Sequence, residues 1–247
     1  MCIESNNSIE DNEKGQIHIP SPKLSPLPGE IWEVNRYDFT SYNSPGVVAP
    51  VKFSLEEQQQ LYSDIARDFL NGMTPSRYVM IVNGEYEQLN AAEGWEIASV
   101  MLLSEETGLR SDIDLVVPGN LSGLQQDLLA QTGFIMPMLS CNLSGSVGKR
   151  LSRKIYDLLM DVGDYYHYGS TVEKPNIDDI QDAGLKVGRS DVRQNPEYQI
   201  FCDRQKAWSD VLTIPVSIRR VQEKGIEFTR GLLEEIIDTH NEISIGE

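Results

Sequence analysis

Positive charge is what this sequence has least of. Its 247 residues hold 21 Lys and Arg against 38 Asp and Glu, a formal net charge of -17. Such a surface repels phosphates, which excludes nucleic-acid binding through the surface at large and confines any RNA or DNA contact to a local patch. Cysteine is scarce as well: Cys2, Cys141 and Cys202 are odd in number and widely spaced. That usage argues against a disulfide framework and suits reduced thiols in a cytosol. No apolar run approaches the length of a membrane-spanning helix, so no membrane association is expected. Met1 to Asn7 carries neither a positive start nor an apolar core, so no secretory signal is expected there, and a cytoplasmic location is. No cysteine pair, histidine pair or Gly-rich loop has the spacing of a metal or nucleotide site, so neither a metal nor another cofactor is expected.

What is present is a globular composition, 40% hydrophobic with all three aromatic types. Residues 1–27 are polar and then Pro-rich, and read as an extended tail. Pro28 to Val34 reads as a first strand, and Ser54 to Asn71 as one amphipathic helix with Ser54 as its cap. Two short apolar runs follow, Arg77 to Val82 and Trp95 to Ser104, joined through a turn at Asn83-Gly84; they read as adjacent strands. Arg77 opens the first and Ser104 closes the second, so pairing of the strands brings a guanidinium and a hydroxyl to one sheet edge. A strand is expected over Asp112–Val117, a short helix over Gly123–Thr132, and a strand over Phe134–Asn142 with Pro137 at an edge or bulge. A helix is expected to run from Ile155 past Val162 into a cluster of Tyr165, Tyr166, His167 and Tyr168. Beyond Gly169, strands are expected over Tyr198–Cys202 and Val211–Ile218 and a helix over Phe228–Ile237, forming either a small second domain or a cap on the first.

The charge changes sign once. Between Met80 and Val147 the only basic residue is Arg110, whereas Lys149, Arg150, Arg153 and Lys154 fall within six positions. A basic patch on an acidic chain is a sharper signal than the net charge, although such a run also suits a solvated face beside a helix.

In the order in which they occur, these blocks resemble the MazF/PemK family of toxin endoribonucleases, which share a small β-barrel with CcdB. Pro28-Gly29-Glu30-Ile31-Trp32 is similar to the family's opening strand, and Arg77 to Val82 to its second. Val100 to Ser104 is similar to the strand that ends in Thr or Ser, and Gly133-Phe134 through Lys154-Ile155 to the later strand, turn and Lys-x-x-Leu segment. The resemblance covers residues 28 to about 162 and implies an α+β chain: a small MazF/CcdB-like open β-barrel domain over 28–168 with an inserted helix at 54–70, followed by a C-terminal α/β extension over 169–247. It further implies metal-independent cleavage of single-stranded RNA by attack of the ribose 2′-hydroxyl. Arg77 would stabilise charge on the phosphate through its rigid fork of donors, and Ser104 would hydrogen-bond the same group. Lys149, Arg150, Arg153 and Asn142 would hold the RNA strand.

Three departures open a second function class. The family's hydroxyl position aligns best with Leu103, and a one-residue shift along a strand points a side chain to the opposite face. Asn142-Leu143-Ser144-Gly145 stands where the family has Gln-x-Arg-Thr, so a second arginine is missing, and the inserted helix lies where a short RNA-binding loop belongs. The chain therefore reads either as an endoribonuclease of a toxin-antitoxin system or as an inactive member serving as a protein- or RNA-binding subunit. An antitoxin-like protein, a subunit of a larger assembly or a second copy of the chain are the expected protein partners. A third possibility is self-inhibition, with the acidic part after Gly169 lying over the basic run. Glu105 and Glu106 read as a general base or as a solvated turn. The tyrosine cluster reads as a platform for unpaired bases or as core or partner packing.

Overall fold

The computed structural model describes residues 26–34, 55–75, 77–89, 95–223 and 232–245. Residues 1–25 of the tail expected over 1–27, the Ser54 cap and the first part of the Phe228–Ile237 helix lie outside them. The described residues are α+β: seven strands form one antiparallel sheet, and seven helices pack on it. In chain order the strands are β1 (Ile31–Val34), β2 (Tyr78–Leu89), β3 (Trp95–Ser104), β4 (Leu115–Val117), β5 (Leu128–Leu139), β6 (Leu143–Val147) and β7 (Lys186–Val187). Their order across the sheet is β6-β1-β2-β3-β5-β4-β7. The helices are α1 (Leu55–Leu61), α2 (Asp64–Leu70), α3 (Gly119–Ser122), α4 (Arg153–Tyr168), α5 (Ile177–Asp182), α6 (Pro196–Glu223) and α7 (Leu232–Ile245).

Successive strand residues point to opposite faces, and in the central strands both faces are apolar. Val79 and Ile81 of β2, with Ala98, Val100 and Leu102 of β3, join one cluster with Phe69 of α2 and Trp208, Val211 and Leu212 of α6. Met80, Met101 and Leu103 face the other way, against Leu151 and against Ile155 and Leu159 of α4. The sheet is thus sandwiched between α4 on one side and α2 with α6 on the other.

Three local expectations are corrected and a fourth holds. The Asn83-Gly84 turn is absent, and β2 runs on to Leu89 with register shifts around Asn83 that absorb the glycine without ending the strand. Gly123–Thr132 holds no helix of its own: Gly123 ends α3 at φ 74°, and β5 begins at Leu128. Leu128 and Ala130 pack on one face and Leu129 on the other, and an apolar run covered on both sides carries no period that separates strand from helix. The single helix expected from Ser54 is two, because Ser63 caps α2 by accepting a hydrogen bond from the Ala66 N–H at 3.2 Å. Pro137 fits its expected place: it pairs with Ser99, while β4 on the other side of β5 reaches only Leu128–Ala130.

The largest correction concerns the C-terminal part. Tyr198–Cys202 and Val211–Ile218 are not strands but portions of α6, a helix of 28 residues with Pro215 inside it. Every residue from Val211 to Ile218 is buried, and a helix enclosed all round loses its 3.6-residue signal. The β-branched content of the same run then mimics a strand. α6 lies between the sheet and α7, sharing a core with β2 and β3, and β7 pairs with β4. This part of the chain is a cover on the sheet rather than a second core. Burying Phe201, Trp208, Leu212 and Ile218 contributes roughly 1.5–3 kcal/mol for each side chain. No described helix is long and apolar enough to cross a membrane.

Candidate functional site

Antiparallel pairing sets Tyr78 against Leu103, so one step outward Arg77 meets Ser104. The two share a face with Val79 and Leu102, whereas Leu103 packs on the α4 side. The displaced hydroxyl therefore lands where it can reach the guanidinium: Arg77 Nη1 donates to Ser104 Oγ at 3.0 Å. The Glu106 backbone N–H also donates to that oxygen, at 3.1 Å, as the chain turns out of β3.

The remaining groups come from the turn and from α6. Arg77 Nη2 lies 3.4 Å from Glu106 Oε1, and Arg204 of α6 donates to Glu106 Oε2. Trp208, one turn further along α6, lies 5.4 Å from the Arg77 guanidinium carbon and meets Phe69 of α2 edge-on. Phe201, Gln205, Trp208 and Leu212 are all buried, at the i, i+4, i+7, i+11 spacing that turns one helical stripe toward the sheet.

This arrangement decides the chemistry. Ser104 has no solvent exposure and the Arg77 side chain keeps 17%. Loss of water under α6 lowers the Arg77 pKa, and the Glu106 carboxylate opposes that shift; the guanidinium remains a cation. Ser104 Oγ accepts from two donors and, among the described residues, donates to no base, an arrangement that leaves it without activation as a nucleophile. Glu106 is neither a solvated turn residue nor a free base but a carboxylate shared by two arginines. Glu105 accepts from Gln126 Nε2 at 2.6 Å. As it stands, the constellation fastens a helix to the ends of two strands.

The predicted RNA-binding residues do not join it. Lys149, Arg150 and Arg153 lie where the chain enters α4, against the opposite face of the sheet and toward the other end of β1. Arg150 Nε donates to the Pro28 carbonyl at 2.8 Å, and Leu151 N–H to the Gly29 carbonyl at 2.9 Å. Lys149 lays its stem over Gly123, where a Cβ would come within 2.7 Å of Lys149 Cγ. Arg153 pairs with Asp157 at 2.8 Å and sits over the Tyr156 ring. All four basic side chains, Lys154 included, are exposed. Asn142 is 3% exposed, with no hydrogen-bond partner for its Oδ1 among the described residues, and at that depth it cannot reach an RNA strand. The self-inhibition expectation is also corrected: α6, in which four acidic residues are balanced by four basic ones, lies over Arg77, not over the basic run.

Tyr165, Tyr166 and Tyr168 are exposed at the end of α4, and the Tyr166 ring would stand 3.1 Å from a Cβ on Gly133. Among the described residues no group of three or more His, Cys, Asp or Glu is placed to hold a metal ion. Sequence reasoning missed Arg204 and Trp208; their signal was the helical stripe from Phe201 to Leu212, outweighed by the β-branched run beyond it. No protein-family model matches the chain, and no curated protein matches it.

Proposed function

We propose that this chain is a MazF/PemK-like protein that binds rather than cuts, serving as a non-catalytic subunit for a protein partner. The MazF/CcdB-like character of the sheet belongs to the same proposal and is supported by the order of the sequence blocks and by the Tyr78–Leu103 register. One observation carries the functional reading: α6 closes over Arg77 and Ser104, and the guanidinium is committed to Ser104, Glu106 and Trp208. A phosphate cannot enter without displacing Trp208 from a shared core. A protein partner is favoured over RNA because Asn142 is buried and the net charge is -17, so only the short run at the start of α4 offers an attractive field.

The meeting of Arg77 with Ser104 favours the competing enzyme reading, in which α6 lifts away. Incubating the full chain with a long unstructured RNA in EDTA separates the two. The binding reading expects the RNA to stay intact and a partner to co-purify from native lysate. Cleavage that disappears in Arg77→Ala establishes the enzyme instead, and recovery of the chain alone counts against a partner.

A further inference from the structure

A second feature lies on the α4 side, away from Arg77. Between α4, α5, β4 and β7 the surface opens into a cleft of about 740 Å³, within the range of small-ligand sites. Leu115 of β4 and Val187 of β7 lie at its floor, Val162 of α4 forms one wall and Ile180 of α5 the other. Gly188, at the end of β7, keeps the floor tight, because a Cβ there would overlap the Ser111 carbonyl oxygen.

The charges sit at the rim. Arg189 pairs with Asp191, its Nε lying 3.0 Å from Oδ1, and Arg193 pairs with Asp112 at 2.6 Å. Both rim carboxylates are thereby neutralised. Lys174, on the same rim, has no ion pair among the described residues. An apolar cleft with one unmatched ammonium at its mouth is complementary to a molecule with an apolar body and one negative end.

We propose that the cleft between α4, α5 and β7 is a binding site for a small amphipathic carboxylate, its apolar body against Leu115, Val162, Ile180 and Val187 and its charge at Lys174. The site stands apart from the Arg77 network and does not depend on the reading of that network.

Two probes of one shape and opposite charge test it: 2-naphthoate and 2-naphthylmethylammonium, titrated into the full chain and followed by methyl NMR. Naphthoate is expected to saturate at one per chain, with shifts centred on the Val162, Ile180 and Val187 methyls. The ammonium is expected to bind at least about threefold more weakly, the scale of one exposed charge pair. Lys174→Ala, a change at an exposed position that leaves the fold intact, should remove that difference. The absence of saturable binding, shifts centred elsewhere, equal affinity for the two ions, or a charge preference that survives Lys174→Ala would each overturn the proposal.

Discussion

Two groups of basic residues in this molecule have opposite fates. Arg77, drawn under α6, and Arg204 of α6 itself share Glu106, whereas Lys149, Arg150, Arg153 and Lys154 stand in solvent where α4 begins. The first group is paired and hydrogen-bonded, with Arg77 largely shielded from water, and removing one partner there leaves another uncompensated. The second is held only lightly, by a carbonyl and by an i,i+4 pair of the kind that contributes little to stability. Covered charge here serves the fold; exposed charge is free to serve a partner.

The sharpest way to break this contrast is to loosen the cover. Trp208→Ala removes a buried aromatic from the shared core and should cost about 3–5 kcal/mol, seen as a lower denaturant midpoint. Arg77→Ala comes next. It removes donors from Glu106 and Ser104 and should cost about 1–3 kcal/mol, with a non-additive remainder when combined with Glu106→Gln in a double-mutant cycle. A stability change below about 0.5 kcal/mol would mean the network fastens nothing.

A pH effect follows from Asp114. Burial raises its carboxyl pKa, against hydrogen bonds from the Ser111 hydroxyl and N–H that lower it. The folded chain then holds this proton more tightly than the unfolded chain. The contribution is fully present below the ordinary carboxylate value and is lost as pH rises through the raised folded value. Asp114→Asn should therefore lose less stability than the parent between pH 3 and pH 7, as measured by urea unfolding at each pH. The smallest effect on stability is expected at the basic run, where Lys149→Ala with Arg150→Ala should shift it by less than about 0.5 kcal/mol. The same pair should weaken capture of a co-purifying partner, most clearly at low salt.

Much of the central sheet was legible in the sequence. Short apolar runs rich in β-branched residues marked β2 and β3, their adjacency placed Arg77 beside Ser104, and the apolar spacing from Ile155 to Val162 marked α4. What covers that pair was not legible. In α6 the run Val211–Ile218 is enclosed on all sides, so no polar stripe reveals its helical period. Pro215 adds a residue normally read as a helix breaker; it is accommodated in an enclosed helix where Ser217 Oγ donates back to the Thr213 carbonyl at 3.2 Å. β5 was misread at its start for a related reason, since Leu128, Leu129 and Ala130 are covered on both faces. In this chain it is full burial, not weak propensity, that erases the local signal.

The relative reactivity of two arginines tests the covered-versus-exposed contrast most directly. Brief treatment of the folded chain with phenylglyoxal, followed by mass spectrometry of its peptides, reports how freely each guanidinium meets solvent. Arg77 should be modified at least about tenfold more slowly than Arg150, and the two should converge once urea unfolds the chain. Modification of Arg77 at the rate of Arg150 in the folded protein would mean that α6 does not close over it, and the site would be open to a phosphate.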